Sequence, residues 1–127
     1  MTQESHHGEL VAGIMQQMKK VLEKSPQAIY LYLDDNHKAC NQKFADLLGY
    51  QSAAAWGKID APLADVLEED QKDVVDAYMN ASEKMSAGVV NVRVKNIKSG
   101  KTIKTRMIIV PMGYEGHIFT AHFFTLL

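Results

Sequence analysis

The residues of this chain with the most chemical potential are five histidines, a single cysteine and an Asp34-Asp35 pair. His6 and His7 stand together near the start and are read as part of a mobile N-terminal tail. His37 lies beside a turn, with no partner at chelating spacing. His117 and His122 are five positions apart, so on a regular strand they point to opposite faces and cannot hold one ion together. No metal site is expected. His122, on an apolar strand, is read as a hydrogen-bonded core histidine with a place on a pocket wall as the alternative.

Cys40 has no second cysteine with which to form a disulfide or a CxxC pair, and beside a strand it is read as a small buried hydrophobe, not a redox sensor. Asp34 and Asp35 precede Asn36 in a turn-forming run and have no base or nucleophile nearby, so they are read as turn residues. There is no Ser-His-Asp arrangement at a known spacing and no glycine loop to cradle phosphate. A binding and signalling role is expected, not an enzyme. A small α+β enzyme using His122 or Cys40 is the third reading, after two binding roles described below.

The bulk properties agree. At 127 residues and 46% hydrophobic content the chain is long enough for one domain with its own core. No apolar run approaches the roughly 18–20 residues of a membrane span, and Thr2-Gln3-Glu4-Ser5 is unlike a secretory signal, so a cytoplasmic location is expected. A net charge of −1 gives no general attraction for nucleic acid or for a membrane. Seven Lys and Arg residues and no acids fall between Lys84 and Tyr114, and are read as the solvated face of a hairpin.

The elements that must position these residues follow from periodicity. Leu10, Val11, Ile14, Met15, Met18, Val21 and Leu22 recur at helical spacing, and Ser25-Pro26 ends the helix. Ala28–Leu33 and His37–Cys40 are predicted strands around the Asp34–Asn36 turn. Asn41 then starts a helix carrying Phe44, Leu47 and Leu48, and Gly49 suits its left-handed C′ position. Two short helical turns are expected between Gln51 and Leu67. A longer helix follows from Glu68, with Val74, Tyr78, Ala81 and Met85 as its stripe and Gly88 as its end. Val90, Val92 and Val94 alternate with polar residues in a strand that turns at Lys98–Lys101 into Thr102–Val110. Pro111–Gly116 is the next predicted turn, and His117–Phe124, apolar on both faces, is a central strand. The predicted fold class is α+β, one five-stranded antiparallel sheet with helices on one face.

This order, with Asn41-Gln42-Lys43-Phe44-Ala45-Asp46-Leu47-Leu48-Gly49-Tyr50 at its joint, resembles the PAS family, whose corresponding segment reads N-x-x-F-x-x-L-x-G-Y. The Leu33–Asn36 turn, the Pro62–Asp70 stretch and the Ser99-Gly100-Lys101 hairpin support the likeness, which covers about Ala28 to Phe124. It divides the chain into a flanking helix, 1–25, and a PAS domain, 26–127.

The resemblance implies a cavity between sheet and short helices, where family members hold haem, flavin, a metabolite or nothing. Haem ligation by a histidine of the long helix is disfavoured, because Glu68–Ala87 contains none. The flavin-adduct cysteine of the family's photosensors lies downstream of Gly49-Tyr50, whereas Cys40 lies upstream. The cofactor is therefore unknown. The residues nominated for the cavity are Leu31, Phe44, Leu48, Tyr78, Val92, Met107, Phe119 and His122, with Trp56 and Met79 as further candidates from an aromatic and thioether-rich set. The leading reading is a sensory domain that binds a small ligand there and signals through a homodimer formed by the N-terminal helix, to an unknown effector. The runner-up is a ligand-free association module.

Overall fold

The computed structural model describes residues 3–127. Helix α1 (Gln3–Gln17) and the short α2 (Lys19–Lys24) are separated only at Met18. The Met18 N–H still reaches the Ile14 carbonyl and the Leu22 N–H reaches that of Met18, so the pair is one bent helix. It begins earlier than the apolar stripe predicts, and places His6 and His7 on a helix and not in a tail. Strands β1 (Ala28–Asp34) and β2 (His37–Cys40) form a hairpin, followed by α3 (Gln42–Leu48), α4 (Ala53–Gly57), a 3-10 turn at Pro62–Asp65 and α5 (Glu68–Lys84). Strands β3 (Gly88–Lys95), β4 (Thr102–Tyr114) and β5 (His117–Leu126) complete an antiparallel sheet of order β2-β1-β5-β4-β3. β5 is central, as its apolar character on both faces predicts.

Two boundaries differ from expectation. Helix α5 stops at Lys84, with Met85 left-handed at φ 53°, and Gly88 is the first residue of β3. Met85 is exposed and is not part of the buried stripe. β4 runs on through Pro111, which pairs with Thr120, to a two-residue turn at Glu115-Gly116. Proline is tolerated here because β3 pairs with β4 only as far as Ile109, leaving the other side of Pro111 free of a ladder that would need its missing N–H. Both turn residues have positive φ, 49° and 78°, the geometry that matches the twist of a tight hairpin.

Asn41 does more than cap α3. Its Oδ1 accepts from the N–H groups of Phe44 and Ile29, both at 3.0 Å, while Nδ2 donates to the carbonyls of Leu22 at 3.1 Å and Gln27 at 2.9 Å. One buried amide thus ties the end of α2, the start of β1 and the start of α3. At the other end of α3, Gly49 has φ 79°, and a Cβ there would meet Asn96 Oδ1 at 2.4 Å. The β3–β4 hairpin uses that closeness: the Ile97 N–H donates to the Leu48 carbonyl at 2.8 Å, and Asn96 Nδ2 to that of Leu47 at 3.1 Å.

The sheet separates two cores. Its outer face, through Ile29, Leu31, Phe119 and Ala121, packs on Leu10, Ile14 and Leu22 of the bent N-terminal helix. The inner face, through Tyr30, Val92, Met107, Ile109 and Phe124, meets Phe44, Leu48, Trp56, Val74 and Ala81 from the helices.

Candidate functional site: an aromatic cavity under the sheet

Between the inner face and helices α3–α5 lies a cavity of about 260 Å³. Strand alternation decides which residues reach it. On β1 the even positions Tyr30 and Tyr32 line it, and on β5 the even positions His122 and Phe124, because Tyr30 pairs with His122 and Ala28 with Phe124. Phe44, Leu48, Tyr78, Val92, Met107 and His122 line it as nominated. Leu31 and Phe119 do not: they are the odd-numbered neighbours, wholly buried on the outer face against the N-terminal helix, and their nomination is corrected. Met79 is exposed on α5 and is likewise outside. Tyr30, Tyr32, Asp35 and Asp65 join the lining without having been nominated. Because β1 is apolar on both faces, its sequence carries no signal for which parity turns inward.

Part of the cavity wall is aromatic, the rest mostly aliphatic. Tyr30 stacks on His122 with ring centroids 3.9 Å apart and planes 14° apart, and stands 5.1 Å from Trp56. Phe44 meets Trp56 edge-on at 5.1 Å, and Tyr32 meets Tyr78 edge-on at 5.2 Å. Such contacts fix ring planes by quadrupole interactions as well as by burial.

The polar groups set into this wall are mostly satisfied. His122 Nε2 lies 2.8 Å from Thr120 Oγ1, and Nδ1 lies 3.4 Å from Met107 Sδ. Thioether sulfur only accepts, so the tautomer that serves both partners donates from Nδ1 and accepts the threonine hydroxyl at Nε2. Burial pushes the His122 pKa down to about 3, which keeps the ring neutral and makes it a poor base. The Tyr50 hydroxyl donates to Asp65 Oδ2 at 2.6 Å, while burial holds the Asp65 carboxyl above its usual range. The Tyr32 hydroxyl donates to Asp35 Oδ1 at 2.5 Å. Lys38, itself buried, lies 5.0 Å over the Trp56 ring and donates to the carbonyls of Asp35, Gly57 and Ile59, with burial lowering its pKa.

One group stands apart. Trp56 is 1% exposed, and its Nε1–H is the buried side-chain polar atom without a hydrogen-bond partner among the described residues. Trp56 is also a cavity-lining residue, and a buried donor without a partner calls for an explanation.

Cys40 is buried with its thiol pushed up to about 12, so the thiolate needed for redox chemistry is suppressed. His37, expected to lack partners, has two neighbours instead: its Nδ1 lies 2.7 Å from Asp34 Oδ1, and His7 Nδ1 lies 3.0 Å from Asp34 Oδ2. The expectation of an isolated turn histidine and a mobile His6-His7 tail is corrected, because α1 runs across the β1–β2 hairpin. His117 and His122 are separated as predicted, His122 in the cavity and His117 near His6 and His7 on the other side.

Comparison with solved structures identifies the architecture. The PAS domain of an HTR-like protein from Haloarcula marismortui is similar over 97% of this chain and 99% of that one, at 17% identity and a TM-score of 0.67. The fold is that of a PAS domain. A PAS domain from a two-component sensor histidine kinase is similar at 13% identity over 91% of this chain and 98% of that one, with a TM-score of 0.67. The PAS domain of the fruit-fly ELK potassium channel is similar at 17% identity over 89% and 96%, with a TM-score of 0.65. No family model and no curated protein sequence matches the chain. In the PAS fold seen here the N-x-x-F-x-x-L-x-G-Y segment builds the Asn41 knot and the Gly49 contact, while the cavity belongs to residues outside that segment except Phe44 and Leu48. No helix among the described residues is long and apolar enough to cross a membrane.

Proposed function

We propose that this PAS fold is a sensory domain whose cavity takes a small planar ligand carrying a hydrogen-bond acceptor. The observation that carries the reading is a cavity lined mainly by aromatic and aliphatic side chains, one of which, Trp56, has an unpartnered Nε1–H. An acceptor oxygen or ring nitrogen placed there regains the hydrogen bond that burial removed, and a flat π-face can pack against the aromatic side chains that line the cavity. The role of one structural neighbour, within a sensor histidine kinase, supports signalling as the output. Ligand contact with Tyr30 and His122 would reach the outer face through the same two strands, and so the bent N-terminal helix.

Trp56 is the sole tryptophan, which makes the test direct. Native mass spectrometry of the purified chain should reveal a co-purifying small molecule, or titration with bicyclic aromatics such as quinoline and indole carboxylates should shift Trp56 emission saturably. An apo mass together with unchanged emission across such a series would sink the reading.

Association is the second output, through a homodimer. The stripe on the N-terminal helix is covered in part by its own sheet, with Ile14 only 1% exposed, so Ile14 is unsuited to test an interface. What favours association is the apolar surface left over: Val21 is 46% exposed, Val89 62% and Ile108 39%, the last two paired on the outer face beyond the helix. Light scattering should report a dimer that Val21→Glu with Ile108→Glu converts to monomer. A monomeric parent chain at tens of micromolar, on the order expected for a weak genuine association, would refute it.

A further inference from the structure

Four of the five histidines converge on one spot, on the side of the molecule away from the cavity. His7 reaches it from α1, His37 from the start of β2 and His117 from the start of β5, with His6 beside His117. Ring centroids are 5.3 Å apart for His7 and His37, 5.6 Å for His7 and His117, and 5.2 Å for His6 and His117. Asp34, the last residue of β1, lies among them and offers one carboxylate oxygen to each of His7 and His37. From these residues we infer that His7, Asp34 and His37 form a binding site for a divalent transition-metal ion, zinc(II) by the nature of its donors.

Two imidazole nitrogens and a carboxylate oxygen form a donor set suited to zinc, which accepts nitrogen and oxygen ligands in tetrahedral geometry without electronic preference. The three donor atoms all lie within 4.8 Å of one another. Around an ion at the usual bond length of about 2.0–2.2 Å, tetrahedral ligands sit somewhat over 3 Å apart. The carboxylate already stands 3.0 and 2.7 Å from the two nitrogens, so binding needs only a small spreading of groups already held together. The imidazoles are about 15% and 14% exposed and the carboxylate 40%, which leaves a path for a hydrated ion to enter while limiting side-chain freedom lost on binding. Hydrogen bonding alone accounts for one carboxylate between two imidazoles. It gives no reason for the rings of His6 and His117 to gather at the same place, where neutral imidazoles gain little from one another and a cation gains a choice of fourth ligand.

Such an ion would join segments 27 residues apart and fasten α1 to the β1–β2 hairpin. It would therefore act on the same helix that packs on the outer face of the sheet, from a separate place and with different chemistry.

The test uses the full chain in chelator-free buffer. Titration with zinc chloride, followed by competition with a chromophoric chelator, should give one ion per chain with a Kd on the order of micromolar or tighter, and slow amide hydrogen exchange in α1. His7→Ala and His37→Ala should each weaken binding about tenfold or more, as loss of a metal-site group does. The native chain supplies a check independent of any variant's folding: imidazole resonances of His7 and His37 should shift together and reach their endpoint at one equivalent, with those of His122 unmoved. Absence of saturable zinc binding below about 100 μM, or binding that survives His37→Ala undiminished and shifts only His6 and His7, would overturn the site.

Discussion

The two faces of strands β1 and β5 are built from alternate residues of the same short segments, yet they do opposite things. On the outer face Ile29, Leu31, Phe119 and Ala121 are wholly buried and pack with Leu10, Ile14 and Leu22 of the N-terminal helix and with Leu33, Met112, Tyr114 and Phe123 of the sheet. On the inner face Tyr30, Thr120, His122 and Phe124 leave a cavity with polar atoms in its wall. The contrast teaches that close packing and open space are separated here by one residue of strand register. A helix laid across β1 and β5 fills the outer face of those two strands. On the inner face the covering elements are short and interrupted, with α4 only five residues and a 3-10 turn after it, so rings from the sheet meet rings from the helices and space remains between them.

The largest effect should come from damaging the dry face. Phe119→Ala removes a fully buried ring from the outer core and should cost about 4 kcal/mol in chemical denaturation, the usual cost of such a truncation in a packed core. Because Phe119 is absent from the cavity lining, binding of any cavity ligand should survive in the folded fraction; equal loss of binding and stability would erase the distinction between the faces.

The buried imidazole sharpens the comparison through pH. The His122 pKa is lowered in the folded chain to about 3 from 6.5, so below pH 6.5 the unfolded chain takes up a proton that the native chain refuses. Stability therefore falls with acidity across that window, by about 1.4 kcal/mol per pH unit, and levels off below pH 3. Comparing urea midpoints of the parent and His122→Gln between pH 7 and 4.5 isolates this effect, and the two should diverge by about 3 kcal/mol. Parallel pH curves would show that the ring is accessible to protons in the native state.

The smallest effect, and the most discriminating, is a side chain enlarged by one or two carbons on either side. Val74→Leu extends into the cavity and should leave stability unchanged or raise it by up to about 1 kcal/mol while displacing ligand. Ala121→Val pushes into the filled outer face and should cost about 2 kcal/mol with ligand binding retained. Calorimetric melts of both variants decide the matter, and a matching cost for the two would mean that the inner face is as full as the outer one.

Much of this architecture is readable from local patterns. The alternation of Val90, Val92 and Val94, the turn residues after Leu33, the helix-starting Asn41 and the left-handed Gly49 each state a backbone preference that the folded chain obeys. The misplacements have equally local causes. Pro111 marks a turn in most contexts, and only the shortness of β3 makes it acceptable within β4. Gly88 reads as a helix stop, but Met85 takes the left-handed position three residues earlier.

The amino-acid order alone thus settled the type and succession of elements and the central position of β5, because these depend on periodicity and turn chemistry within a few residues. Which of Tyr30 and Leu31 faces the cavity was beyond it: both neighbours are apolar, both faces of the strand are covered, and parity is broken only when β1 pairs with β5 and the N-terminal helix claims one side. The same holds for Trp56, whose unpartnered N–H exists only because helices and sheet meet around it, and for His7, His117 and the turn pair Asp34–His37, three distant stretches of chain that meet only when α1 crosses the hairpin. Distances between side chains on different elements are set by how those elements pack, and no spacing along the chain encodes them.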